Sequence, residues 1–392
     1  MAQKEALQEA HAKLRSKFYK VLRSHREEER DSLPIRILHA ERVVNPFATC
    51  PPTKEEALSK LKFTEVMESC PKADIENLEE LLEEEEELCL YISQYWDIPE
   101  EEEEEDQETL PEWKTNRRIP LLIWKLKESD KQRKRPAVIF LHGLDQNKED
   151  LRPWLKAYAS RGYIAISMDT IHHGERAKSV SAFRNGLVVA WALGETMPFI
   201  YDTAYDLIKL ADYLTAKRED IDPSRIGITG IGLGGMHAWF AAFADTRYAV
   251  AVPLVGVQEF RWIIDNEKWM DQYDSVKHFF DVARHNLSKD VIDKEAVEKA
   301  WERIAPGLTS EFDSPNSIPA IAPRPLLIIN GAEDRRCPVA SLEVPRSKAI
   351  EAYEAFQCSD HFKCIIEPGV GHEVTKFQLK ESAEWFDRFL KP

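Results

Sequence analysis

The chain has 392 residues, 43 % of them hydrophobic and 31 % charged, with a formal net charge of −16. Such a length holds one large domain with an appendage, or two ordinary domains, with a sizeable core. The acidic balance argues against nucleic acid or an anionic membrane as a partner. No apolar run reaches bilayer-spanning length, and the start MAQKEALQEAHAKLRSKFYK lacks the apolar stretch of a secretory signal. Six cysteines (50, 70, 89, 337, 358, 364) at irregular spacing read as reduced thiols, so cytoplasm is the expected compartment.

Along the chain, Leu14, Phe18, Val21 and Leu22 recur at helical spacing and predict an amphipathic helix within residues 1–31. Pro52 and Thr53 open a second helix, and residues 77–97 read as a third. Between Glu79 and Asp106 stand fifteen Asp or Glu and no Lys or Arg, which leaves the remainder close to neutral. Both glutamate runs read as solvated surface, with residues 98–111 as an acidic linker. The sharper alternative is an acidic contact for a protein partner.

Beyond Trp113 the texture changes. RRIPLLIWKL and RPAVIFLHG read as strands, followed by helix DLRPWLKAYASRG, strand YIAISMD and a long amphipathic helix over 197–220. Strand RIGITG runs straight into the helix GGMHAWFAAFAD, and YAVAVPLVG, RPLLIINGAED and FKCIIEPGVGH are three more strands. Short apolar runs alternating with helices imply a mostly parallel sheet covered on both faces. Residues 259–312 interrupt the alternation with helical sequence, the usual place for a lid. The expected division is a helical, acidic N-terminal extension over 1–112 and an α/β domain over 113–392 with that insertion.

In an open parallel sheet, ligands gather at the carboxyl ends of the strands. Those ends read FLHGLDQNK, MDTIHHGER, TGIGLGG, NGAEDRR and PGVGHEV. Taken together and in this order, they resemble an α/β-hydrolase of the dienelactone-hydrolase, acetyl-esterase and acyl-peptidase branch, over about residues 115–390. In that fold a Gly-x-Ser-x-Gly turn between strand and helix carries the nucleophile, and Asp then His follow in the chain. The resemblance maps these places to Gly232, Asp334 and His372. It also implies an oxyanion hole of backbone N–H groups from Leu144 and Leu233. Candidate substrate-binding residues are His142, Asp145, His172, His173, Trp262 and Trp269, with buttressing of its loop the stronger expectation for His142.

Glycine thus stands at the elbow position, between Gly230 and Gly234. Gly230-x-Gly232-x-x-Gly235 also fits a dinucleotide fingerprint, but the next strand ends without the acidic residue that would bind a ribose, and no cofactor is expected. His172 and His173 lack a third or fourth ligand at metal spacing, so no metal is expected either. Cys337, Thr229 and His237 are near in sequence yet unsuited as substitute nucleophiles. The expected function is a carboxylic-ester hydrolase scaffold, esterase or deacylase, with little or no hydrolysis because Gly232 holds the nucleophile's place. Its expected partner is a small-molecule ester or apolar ligand. Two alternatives stay open: a pseudo-hydrolase that binds a ligand, and non-hydrolytic chemistry driven by the His372–Asp334 dyad.

Overall fold

The computed structural model describes residues 2–24, 35–39, 54–91, 118–127, 133–271 and 274–391. Among them, one nine-stranded sheet runs in the order β1-β2-β3-β5-β4-β6-β7-β8-β9. Its strands are β1 (Ile35–His39), β2 (Leu82–Tyr91), β3 (Arg118–Leu126), β4 (Arg135–Leu141), β5 (Ile164–Met168), β6 (Ile221–Ile231), β7 (Tyr248–Leu254), β8 (Leu326–Gly331) and β9 (Phe362–Glu367). β4 to β9 are parallel, and β1 to β3 join as antiparallel strands beside β5. The predicted apolar runs at β4, β5 and β8 are buried at every position.

Side chains alternate across a strand, and the core divides accordingly. Ile119, Leu121, Ile123, Ala137, Ile139 and Leu141 face one apolar cluster, while Leu122, Trp124, Val138 and Phe140 face the other. The longer described helices are α1 (Ala2–Arg23), α2 (Lys54–Glu68), α3 (Arg152–Ser160), α4 (Ala182–Leu193), α5 (Tyr201–Ala216), α6 (Leu233–Ala244), α7 (Asp274–Asn286), α8 (Lys294–Ile304), α9 (Glu343–Ala355) and α10 (Lys376–Leu390). α1, α5 and α6 cover the first face; α3 and α10 cover the second. α1 is docked by Phe18, whose fully buried ring meets Tyr201, Phe240, Phe243 and Phe312 at centroid distances of 4.8 to 5.7 Å. No helix among the described residues is long and apolar enough to cross a membrane.

One element departs from expectation. The helix expected over 77–97 is not formed across its described part, 77–91, and 92–97 lie outside the described residues: a single turn at Leu78–Leu81 leads into the strand β2, which pairs with β1 and β3. Glutamate favours helix weakly, and tertiary partners override so small a preference. Glu84 meets Arg152 at 2.5 Å, Glu85 and Glu87 each meet Arg218 at 3.1 Å, and Lys125 also pairs with Glu85. Glu87 is only 6 % exposed and accepts the Tyr213 hydroxyl at 2.6 Å. This glutamate run is therefore a sheet strand in which Glu84, Glu85 and Glu87 are ion-paired, and the first 112 residues contribute strands as well as helices. The acidic stretch 98–111 lies outside the described residues.

Candidate active site

The turn from β6 into α6 places Gly232 at φ 56° and ψ −114°. A positive φ strains any residue with a Cβ, and glycine adopts it freely. The neighbouring glycines answer to packing: a Cβ on Gly230 would lie 2.3 Å from the Gly234 carbonyl oxygen, one on Gly234 2.2 Å from that of Leu141, and one on Gly235 2.6 Å from that of Leu254. Position 232 differs. A Cβ there would have only His372 within 4 Å, at 3.2 Å from Nε2 and 3.8 Å from Cε1. Backbone crowding forbids a Cβ at Gly230, Gly234 and Gly235, whereas one at Gly232 would meet only the His372 ring, in close contact.

Asp334 and His372 reach this apex from the loops after β8 and β9. Asp334 is buried, and its Oδ1 accepts the backbone N–H groups of Arg336 (2.8 Å) and Cys337 (2.9 Å). Its Oδ2 accepts Nδ1–H of His372 at 2.8 Å. This bond sets the imidazole tautomer, leaving Nε2 as the acceptor turned toward position 232. Leu233 is the first residue of α6, so its N–H lies among the helix-start donors that have no intrahelical acceptor. Leu144 sits in the turn after β4, half-buried, between Gly143 and an exposed Asp145 at φ 58°. Gln146 braces that turn, its Oε1 accepting the Gly143 N–H at 2.8 Å.

Asp334, Cys337 and His372 also bring three ligand-type atoms within 4.8 Å of one another, the sole such cluster among the described residues. Two of those atoms already bond each other, and the Cys337 thiol points to the Val255 carbonyl oxygen at 3.5 Å. Burial, then the Asp334 charge, push the Cys337 thiol well above its ordinary range, so it is neither thiolate nor exposed. Thr229 donates its hydroxyl to Val252 O at 2.7 Å, and His237 faces Phe199 O at 3.2 Å. None of the three competes for the apex.

The remaining candidates separate. His142 is fully buried, donates from Nδ1 to Gly143 O (2.8 Å) and accepts the Thr170 N–H at Nε2 (3.1 Å). It ties the β4 loop to the β5 loop and has no face for substrate, which corrects its place among the binding residues. His173 is 5 % exposed, with Nδ1 on Ile171 O at 2.9 Å and Nε2 without a described partner. His172, at φ 62°, lays its ring where Gly186 has no side chain. Burial lowers all these imidazoles, His172 to about 4, and keeps them neutral. Trp269 is buried in the core cluster with Trp301, and the half-buried Trp262 packs against that cluster.

Sequence reasoning missed two organisers. Asp169 accepts the N–H groups of Lys148 (2.8 Å) and Glu175 (2.9 Å), and Gly174 makes room for it; strand-end Asp with Gly five residues on was the available signal. Asp313 accepts the N–H groups of Phe260 (2.9 Å), Arg261 (2.7 Å) and Ser314 (2.7 Å), closing the base of the 259–312 insertion. No local pattern announces that second link, because its partners lie more than fifty residues apart.

Residues 201–391 match the model of the prolyl oligopeptidase family. The structure also superposes on acetyl xylan esterase 1 from Thermoanaerobacterium sp. JW/SL YS485 with a TM-score of 0.55 at 15 % identity, covering 87 % of this chain and 95 % of the other. The chain is an α/β-hydrolase by fold. Two proteins of Bacillus subtilis (strain 168) are similar in sequence. The provisionally named hydrolase YtaP is 24 % identical over 65 % of this chain and 79 % of its own, and the provisionally named esterase YitV 24 % identical over 68 % and 93 %. Of three longer matching structures this α/β-hydrolase spans 34, 62 and 65 %. The family match begins at α5 and takes in Gly232, Asp334 and His372, while His142, Leu144 and the 169–176 loop precede it. What the comparisons support is an esterase or peptidase hydrolase scaffold.

Proposed function

We propose that this chain is a carboxylic-ester hydrolase scaffold, esterase or deacylase in type, whose nucleophile position is occupied by Gly232, and that it hydrolyses esters barely or not at all. One observation carries the reading: a preorganised Asp334–His372 pair presents Nε2 to the one glycine of the elbow where a Cβ would meet no backbone atom. In a serine form the hydroxyl would attack the ester carbonyl while Nε2 takes its proton. Asp334 would stabilise the imidazolium, and the Leu144 and Leu233 amides would receive the oxyanion. Losing a triad nucleophile costs on the order of a millionfold in turnover. The names of the esterase relative and of the acetyl xylan esterase structure support the ester class.

The test is hydrolysis of p-nitrophenyl acetate and butyrate by the parent chain and by Gly232→Ser, each with and without His372→Ala. The reading expects turnover in the serine form orders of magnitude above the parent's, lost again with His372→Ala. A folded Gly232→Ser protein that is inert on both esters overturns it.

A further inference from the structure

We propose that the Gly232 site is a single-displacement acyl-transfer site, in which a small hydroxylic acceptor, methanol or water, held at His372 Nε2 above the bare Cα of Gly232, takes over the role of the missing hydroxymethyl group. The inference rests on the ester-scaffold reading and adds a second substrate to it.

A serine side chain has the heavy atoms of methanol; unbonded, they would stand off the Gly232 Cα by a van der Waals contact, beside an Nε2 that lies 3.2 Å from the point where Cβ would be. Only His372 comes within 4 Å of the point where Cβ would be. The room keeps its shape without a side chain, because the apex is pinned through its backbone. The Gly232 N–H donates to Leu254 O at 3.0 Å, and its carbonyl accepts the Met236 N–H at 3.0 Å. Gly256 permits that carbonyl's approach, since a Cβ on Gly256 would lie 2.5 Å from it. The base is poised as well: Nδ1–H is held by Asp334, so Nε2 is free to take a proton from an acceptor hydroxyl in this place. No protein nucleophile intervenes, since the Thr229 hydroxyl and Cys337 thiol are turned to backbone carbonyls.

The step balances without a further reagent. The acceptor oxygen bonds to the acyl carbon as its proton passes to Nε2, and the carbonyl electron pair moves to oxygen beside the Leu144 and Leu233 amides. Collapse breaks the bond to the leaving alkoxide, which takes the proton back from His372. Methanol yields a methyl ester, water yields the acid, and no acyl-enzyme forms.

The experiment follows p-nitrophenyl acetate with the purified full chain over a methanol series, with tert-butanol as the matched solvent control. It reads p-nitrophenol release and methyl acetate by gas chromatography. Methyl acetate formation should saturate with methanol and exceed the His372→Ala background roughly a hundredfold, the low end of what positioned acid–base catalysis supplies. Gly232→Ala, checked for folding by circular dichroism, should abolish the saturation. Methyl acetate that rises linearly with methanol and equally in His372→Ala overturns the proposal. Gly232→Ser separates the two readings. If it hydrolyses the ester while the parent makes no methyl acetate above background, acyl transfer falls and the scaffold reading stands. If both are inert, both fall. Methyl acetate from the parent beside an inert serine form supports acyl transfer and refutes the esterase reading.

Discussion

Acid should destabilise this fold through its buried imidazoles, and His237 offers the cleanest measure. Burial holds His237 down at about 3 although Phe199 O accepts a hydrogen bond from its ring, and it holds His172 at about 4. In the unfolded chain both return to about 6.5. Between that value and the folded one, the unfolded state takes up a proton that the folded state refuses. Their contribution is therefore complete above about pH 6.5 and is lost as pH falls toward the folded values. Each pH unit costs about 1.4 kcal/mol per group, so at pH 5 each loses about 2 kcal/mol and the pair about 4 kcal/mol. That is a large share of a typical stability of roughly 5–15 kcal/mol. Asp313 works the other way. Burial raises it to about 7, so it gains protons on folding between about pH 4 and 7 and adds stability as pH falls. The useful quantity is thus a difference between proteins. His237→Gln keeps a donor for Phe199 O but cannot titrate. Urea unfolding followed by tryptophan fluorescence at pH 6.5 and 5 should show the parent losing about 2 kcal/mol more than this variant. Equal losses in both proteins would refute the assignment of His237 as a neutral buried base.

Three substitutions test the packing that positions the site. Phe18→Ala removes the ring by which α1 docks and should cost about 3–5 kcal/mol, read as a lower urea midpoint; an unchanged midpoint would mean α1 contributes nothing to the core. Gly186→Ala puts a carbon 2.5 Å from the His172 ring and should cost about 1–3 kcal/mol in thermal melting, whereas a neutral result would show that the ring moves freely. Glu87→Ala leaves the Tyr213 hydroxyl unpaired and takes one of three carboxylates from Arg218, Glu85 and Asp220 remaining, and should cost about 1–3 kcal/mol in urea unfolding; a loss that fades at high salt would mean the pair is less buried than described.

Most of the parallel sheet was legible because each strand is a short apolar run closed by a turn, as in Ala137–Leu141 and Leu326–Ile329, and burial requires that pattern. β2 was not, because its partners Lys125, Arg152 and Arg218 are 40 to 130 residues distant and no local rule pairs a glutamate run with them. At the site, chain order singled out Gly232, Asp334 and His372, since backbone crowding and a strand-end carboxylate leave marks in sequence. Whether a histidine faces solvent or the core leaves none: His142 and His372 both follow strands and glycines, yet one is a fully buried tie and the other is half-buried with Nε2 turned toward position 232.

The glutamate strand also bears on how the molecule can be divided. Similarity marks residues 201–391 as the recognisable portion, but Arg218 and Tyr213 within it complete their bonding on Glu87, and the aromatic pocket of Tyr201, Phe240 and Phe243 is filled by Phe18. A fragment cut at the edge of the similarity would expose a charged notch on one side and an oily socket on the other. Ancestry and foldability thus have different borders in this chain, and the stretch that looks least like a hydrolase supplies part of what the hydrolase portion needs in order to stand.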